Sequence, residues 1–168
     1  AAVETEPFTQ WIVEDRFASR RPDWEAGGAL FVTDVAPYEK MKLRMLNGAH
    51  SALAYLGYLA GHETVAEASS DAVFAAFLDR LWREIMPAVP APRAIELADY
   101  AARLLARFRN TALRHRTWQI AMDGSQKLPQ RLLGTIREAL AAGRPFPYLA
   151  LSVAGWMRYV AGIDEHGR

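Results

Sequence analysis

The sequence predicts a mainly α domain with a short extended portion near its start, and three observations carry that prediction. Apolar residues recur at three- and four-residue spacing over about two thirds of the chain, well above the roughly one third of helix in an ordinary globular protein. Turn formers and capping residues cut that periodicity into separate helices. Before Pro37 the apolar residues fall instead into short runs, Trp11-Ile12-Val13 and Leu30-Phe31-Val32, bounded by turn formers as strands are.

The opening stretch to about Gly28 mixes clustered charges with isolated large side chains (Phe8, Trp11, Ile12, Val13, Phe17, Trp24) and has no helical spacing. It reads as a docking arm. A lone strand pair is marginal, so its support must come from the following helices or from a sheet in another domain. A first, very apolar helix is expected from Pro37, suited to a first helical turn, to Ala60, with Gly61 as its stop. Ser69, Ser70 and Asp71 offer N-caps for a second, in which Phe74, Phe77, Leu78, Leu81, Trp82 and Ile85 line one face before Pro87. Pro92 is expected to open a third, with Ile95, Leu97, Tyr100, Leu104, Leu105 and Phe108 inward. A fourth runs from about Pro129 to Ala142, closed by Gly143 and Pro145, and a fifth from about Pro147 to Ala161.

The chain has 168 residues, 51% hydrophobic and 23% charged, enough for one domain with a core and too few for two ordinary ones. Twenty Lys and Arg against nineteen Asp and Glu leave a net charge of +1, no electrostatic reason to bind nucleic acid or an anionic membrane. The absence of cysteine excludes disulfides, thiolate nucleophiles and Cys-ligated zinc. No apolar run approaches a membrane span and the first residues are not those of a signal peptide, so a cytoplasmic, soluble protein is expected.

Three polar groups interrupt the first helix: Lys42, Asn47 and His50. At about 100° per residue they stand near 0°, 140° and 80°, on one side, with Lys42 about 12 Å along the axis from His50. A lone His or Asn on an apolar helix is commonly a satisfied core residue. A lysine in the same stripe is rarely buried unless paired or put to use, so the trio could equally converge on a ligand. A second polar cluster runs from Asn110 through Arg114, His115, Arg116 and Gln119 to Lys127. Asp123-Gly124-Ser125 marks a turn there, which puts Lys127 at a helix start. Arg114 and His115 read as a solvated loop. Gln119 and Lys127 suit either a polyhydroxy ligand or a salt bridge. His62 and His166 lack partners at metal spacing, Ser51 lacks a base and orienter of its own, and neither a GxGxxG nor a GxxxxGK[ST] pattern is present.

These stretches resemble the C-terminal domain of the polyol-specific long-chain dehydrogenases, the mannitol 2-dehydrogenase and fructuronate reductase group. The likeness lies in Glu6 to Phe17, in Val35-Ala-Pro-Tyr-Glu-Lys-Met-Lys42 running on through Asn47 and His50 to Gly57, and in Arg116 to Arg131. It implies a multi-helical fold of the 6-phosphogluconate dehydrogenase C-terminal-like kind spanning residues 1–168. It also implies metal-independent hydride transfer between a polyol or sugar acid and NAD or NADP. The family pattern falls on Lys42 as general base and on Asn47 and His50 as donors to the reacting oxygen. By the same resemblance Lys127, and Gln119 where other members carry Arg, contact substrate, and the Gln119 to Lys127 run is closer to fructuronate reductases. The cofactor would bind mainly to an N-terminal Rossmann domain absent from this chain, which on its own is expected neither to bind NAD(P)H tightly nor to turn over substrate. The competing expectations are a helical interaction domain in which the trio is structural, and a dehydrogenase of phosphorylated polyols served by Arg114 and Arg116.

Overall fold

The computed structural model of the chain describes residues 10–93 and 95–162. The two short apolar runs form strands β1 (Trp11–Glu14) and β2 (Ala29–Val32), paired in parallel with Trp11 opposite Ala29 and Glu14 opposite Val32. A parallel pair needs a crossover rather than a tight turn. Residues 15–28 provide it, ending in a 3₁₀ turn at Trp24–Gly27 that Gly28 closes at φ +88°. The rings of Trp11, Phe17, Trp24 and Phe31 meet there, and the Arg21 guanidinium stands 3.4 Å from the Phe31 centroid. This aromatic cluster supplies the support that an isolated strand pair lacks. Phe8, expected in the same arm, lies outside the described residues.

The predicted first helix spans the expected length but is not uniform. Helix α1 (Ala36–Met41), with Pro37 in its first turn, passes into a wide, π-helical turn at Lys42–Gly48 and then into α2 (Ala49–Leu59). In the wide turn hydrogen bonds reach i→i+5, so the 100° step assumed from the sequence fails there. Its surroundings accommodate the irregularity. The Trp82 indole donates to the Met45 carbonyl at 2.9 Å, and a Cβ on Gly48 would stand 2.9 Å from the Arg131 carbonyl oxygen. Ala49, Ala52, Leu53, Ala54 and Tyr55 of α2 are wholly buried, as expected of a helix apolar all round, and α2 is the axis of the domain.

Helix α3 (Val65–Ser70) was hidden in the sequence behind serines that resemble caps. Thr64 begins it with a capping box: Glu67 N–H donates to Thr64 Oγ1, and Thr64 N–H donates to Glu67 Oε2, both at 3.2 Å. Ser69 and Ser70 therefore end a helix rather than start one, and Asp71 alone caps α4 (Ala72–Ile85), accepting from Val73 N–H at 2.7 Å. The face of Phe77, Leu78, Leu81, Trp82 and Ile85 is buried as its spacing predicts. Pro92 does not open the next helix. Ile95 N–H bonds back to the Pro92 carbonyl in a turn, Glu96 is extended, and α5 runs from Leu97–Phe108.

Two short helices follow, α6 (Thr117–Ala121) and α7 (Gly124–Leu128), on either side of Asp123, whose φ is +58°. The predicted fourth helix begins with a second wide turn, Pro129–Leu133, before α8 (Gly134–Ala141). Helix α9 (Pro147–Val160) matches its expectation. Its first turn is capped from a distance by Glu84, which accepts from Tyr148 N–H at 3.0 Å and Leu149 N–H at 2.8 Å. It crosses α2 at Gly155, where a Cβ would lie 2.6 Å from Leu56 Cδ2. Among the described residues no helix is long and apolar enough to cross a membrane.

Candidate active site

The wide turn at Lys42–Gly48 sets the geometry of the polar trio. Each residue there advances by less than the α-helical step, so five steps leave Asn47 closer to the side carrying Lys42 than the 140° of a regular helix. The arc holding Lys42, Asn47 and His50 narrows as a result. The interior is taken by Met41, Arg44, Met45 and Gly48, which leaves Lys42 exposed. That corrects the expectation of a lysine within an apolar stripe. Asn47 is half-buried, and its amide makes no side-chain hydrogen bond with the described residues.

His50 is the deepest of the three. Its ring stacks on Phe108 with centroids 5.0 Å apart and 14° between planes, and His115 meets it edge-on at 5.6 Å. Nε2 is buried and has no partner among the described residues. Burial first, then the nearby His115, Arg131 and Arg107, push the imidazole down to about 3, so it is neutral near pH 7 and offers one N–H and one lone pair. An unpartnered buried nitrogen is costly to a fold unless something fills it. A cavity of about 40 Å³ beside the ring, bordered by Leu46, Val65, Phe108 and His115, has room for a water and not for a six-carbon polyol. Along this side of the turn the three residues thus grade from exposed Lys42 through half-buried Asn47 to His50, whose Nε2 is buried.

The second cluster is only partly gathered. Lys127 sits in α7 after the tight turn, as expected, but folds back on it: Nζ donates to the Met122 carbonyl at 2.6 Å and lies 3.8 Å from Asp123 Oδ2. Gln119 is exposed on α6. Arg114, His115 and Arg116 are exposed in and beside the preceding loop, in line with a solvated reading, and His115 in addition meets the His50 ring edge-on. Ser51 is not idle, because its Oγ accepts from Arg131 Nη1 at 3.0 Å. His62 stands edge-on to Phe74 at 5.3 Å, and among the described residues no three His, Asp or Glu side chains are grouped to hold a metal ion. His166 lies outside the described residues. The nearness of His115 and Arg131 to His50 and Ser51 was not legible in the sequence, since a one-dimensional pattern does not bring distant segments together.

Comparison with known proteins places these residues in context. The model of the mannitol dehydrogenase C-terminal domain family matches residues 34–168. The D-mannonate oxidoreductase of Escherichia coli (strain K12) is 55% identical over 168 residues, which are 99% of this chain and 34% of that protein. Among solved structures, the ternary complex of Pseudomonas fluorescens mannitol 2-dehydrogenase with NAD and D-mannitol superimposes with a TM-score of 0.87 at 41% identity, covering 97% of this chain and 33% of that one. D-sorbitol dehydrogenase in substrate-free form gives a TM-score of 0.89 at 34% identity, covering 95% and 33%. The chain therefore spans about a third of the length of the relatives it matches.

Proposed function

Because this chain belongs to the mannitol dehydrogenase C-terminal domain family, we propose that it is the catalytic and substrate-binding part of an oxidoreductase that interconverts a polyol or sugar acid and its ketose. The observation that carries the reading is the buried, unpartnered Nε2 of His50 at the inner end of the arc that holds Lys42 and Asn47. Such a nitrogen fits the oxygen of a bound carbinol. In the oxidative direction Lys42 Nζ, as the free amine, takes the hydroxyl proton. His50 Nε2–H and the Asn47 amide donate to the oxygen as it gains alkoxide character, and keep donating to the ketone that forms. A neutral imidazole suits this part because it donates without surrendering a full proton. The acceptor for the carbinol hydride would be NAD or NADP, whose site we assign to the portion of the protein outside this chain. Neither the proton transfer nor the oxyanion contacts call on a metal. Gln119 and Lys127 are assigned to the substrate's remaining hydroxyls, Lys127 after release from the Asp123 turn.

The test is Lys42→Ala in the full-length protein containing this chain. Loss of a general base lowers kcat by about 10²- to 10⁴-fold. Since Lys42 is exposed, the thermal midpoint should stay within about a degree of the parent. Unchanged turnover with intact folding would instead favour a helical interaction domain with a structural trio. The isolated chain is expected to show no turnover and no tight NAD(P)H binding, measured by quenching of its tryptophans.

A further inference from the structure

Arg131 lies in the second wide turn, and its surroundings are unusual for a guanidinium. Its one hydrogen bond among the described residues goes to a neutral group, Nη1 to Ser51 Oγ at 3.0 Å. Nε is buried with no partner, and no described carboxylate comes within ion-pair distance. The neighbouring Tyr55 does not supply a charge either, because burial pushes its phenol up to about 12 and its hydroxyl donates to the Ala121 carbonyl at 3.0 Å. Burial lowers the pKa of Arg131 itself, and its positive charge is felt at His50. A planar fork of N–H donors, partly withdrawn from water and without an anion among the described residues, is an incomplete site.

Its position says what would complete it. Ser51 follows His50 directly and stands one turn beyond Asn47, so Arg131 reaches α2 on the flank of Asn47 opposite His50. Of the two cations that the 127–131 segment brings to this region, Lys127 is already held by the Met122 carbonyl and Asp123. Arg131, four residues on, is not. The segment cannot drift away, because the Arg131 backbone carbonyl is packed where a Gly48 Cβ would be.

We infer that Arg131 is a specificity-determining residue whose guanidinium binds the carboxylate of a sugar-acid substrate in a bidentate pair, while the reacting carbinol lies against Lys42, Asn47 and His50. This rests on the oxidoreductase reading above and narrows its substrate to an aldonate. A neutral polyol gives Arg131 a hydroxyl in place of an anion, which compensates a partly buried positive charge poorly. The carboxylate is remote from the reacting carbon, so its contact is uniform between ground state and transition state and is read in KM more than in kcat.

The experiment compares D-mannonate and D-mannitol as substrates of the full-length protein, with Arg131→Met and Arg131→Lys. The parent is expected to prefer D-mannonate. In Arg131→Met the ratio of kcat/KM for D-mannonate to that for D-mannitol falls by about 10- to 100-fold, through KM, and Arg131→Lys, which keeps the charge and loses the fork, recovers part of it. Melting temperature and far-UV circular dichroism establish that the variants are folded. An equal loss on both substrates, a loss confined to kcat, or a parent that turns over D-mannitol alone overturns the inference and leaves the oxidoreductase reading standing. A parent that turns over neither substrate overturns that reading as well.

Discussion

The two wide turns are packed against each other at Gly48 and Arg131, and each carries an arginine, yet the two guanidiniums live in opposite circumstances. Arg44, in the first, is 7% exposed and fully engaged: Nη1 donates to the Ala88 carbonyl at 2.9 Å and to Glu138 Oε2 at 2.8 Å, and Nη2 donates to Glu138 Oε1 at 2.7 Å. Lys40 joins the same carboxylate at 3.2 Å. Arg131, in the second, has among the described residues a serine hydroxyl and nothing anionic. The same residue type on the same kind of irregular backbone is thus scaffold in one turn and an open valence in the other. A charge that the fold has placed but not neutralised is where a helical domain leaves room for a ligand.

Removal of each guanidinium in turn, followed by chemical unfolding, separates the two arginines most strongly. Arg44→Met strands the Ala88 carbonyl and loosens the tie between the first wide turn and α8, and the expected loss is about 3 kcal/mol. Arg131→Met removes a partly desolvated charge with no counter-ion among the described residues and replaces it with an apolar chain of similar reach. Its stability should stay within about 1 kcal/mol of the parent, or rise. Equal losses in the two variants would show that Arg131 is structural as well.

A smaller effect tests the contact between the turns. Gly48→Ala sets a methyl 2.9 Å from the Arg131 carbonyl oxygen, a backbone atom that can move only with its segment. The expected cost is about 1–3 kcal/mol of overpacking, measured by thermal unfolding. Because the two turns would be pried apart, the variant should also weaken the Arg131 to Ser51 hydrogen bond while leaving the Arg44 to Glu138 pair in place.

What the sequence made legible follows from how local each signal is. Pro37 and Gly61 bracket the first helical run because a missing N–H and a positive φ are properties of single residues, and Gly61 indeed has φ +86°. The face of α4 was legible because burial repeats with the helix period. The wide turn was not, since Lys42-Leu-Arg-Met-Leu-Asn-Gly48 is an ordinary helical stretch in composition, and what accompanies its widening comes from distant segments, the Trp82 indole on Met45 and the Arg131 carbonyl against Gly48. Ser69 and Ser70 misled for a related reason, as hydroxyls that would cap one helix instead bond back to Ala66 O in the preceding one. The trio Lys42, Asn47 and His50 could be nominated from spacing and resemblance alone. That His50 would lie between Phe108 and His115, and that Arg131 would lack an anion among the described residues, depend on contacts between residues far apart in sequence, which no window along the chain contains.

The smallest expected effect separates the two arginines by pH. Hydrogen bonds from Arg44, and secondarily from Lys40, hold the Glu138 carboxyl down at about 2, against an ordinary value of 4.5. The unfolded chain therefore binds a proton at this position at a higher pH than the folded chain does. The stability contributed by the depressed group is complete above pH 4.5 and is lost as pH falls toward 2. Glu138 is partly exposed, so solvent screening reduces its share to on the order of 1 kcal/mol. His50, held as the neutral base mainly by burial, also costs stability as pH falls, over a window that opens earlier, from 6.5 down to about 3. Glu138→Gln should accordingly flatten the unfolding free energy below pH 4.5 and leave the decline between 6.5 and 4.5 as it is, whereas His50→Phe should flatten the upper part first. A Glu138→Gln profile parallel to the parent at every pH would mean that Arg44 is held by the Ala88 carbonyl and its packing rather than by its ion pair. The contrast with Arg131 would then be one of burial instead of charge.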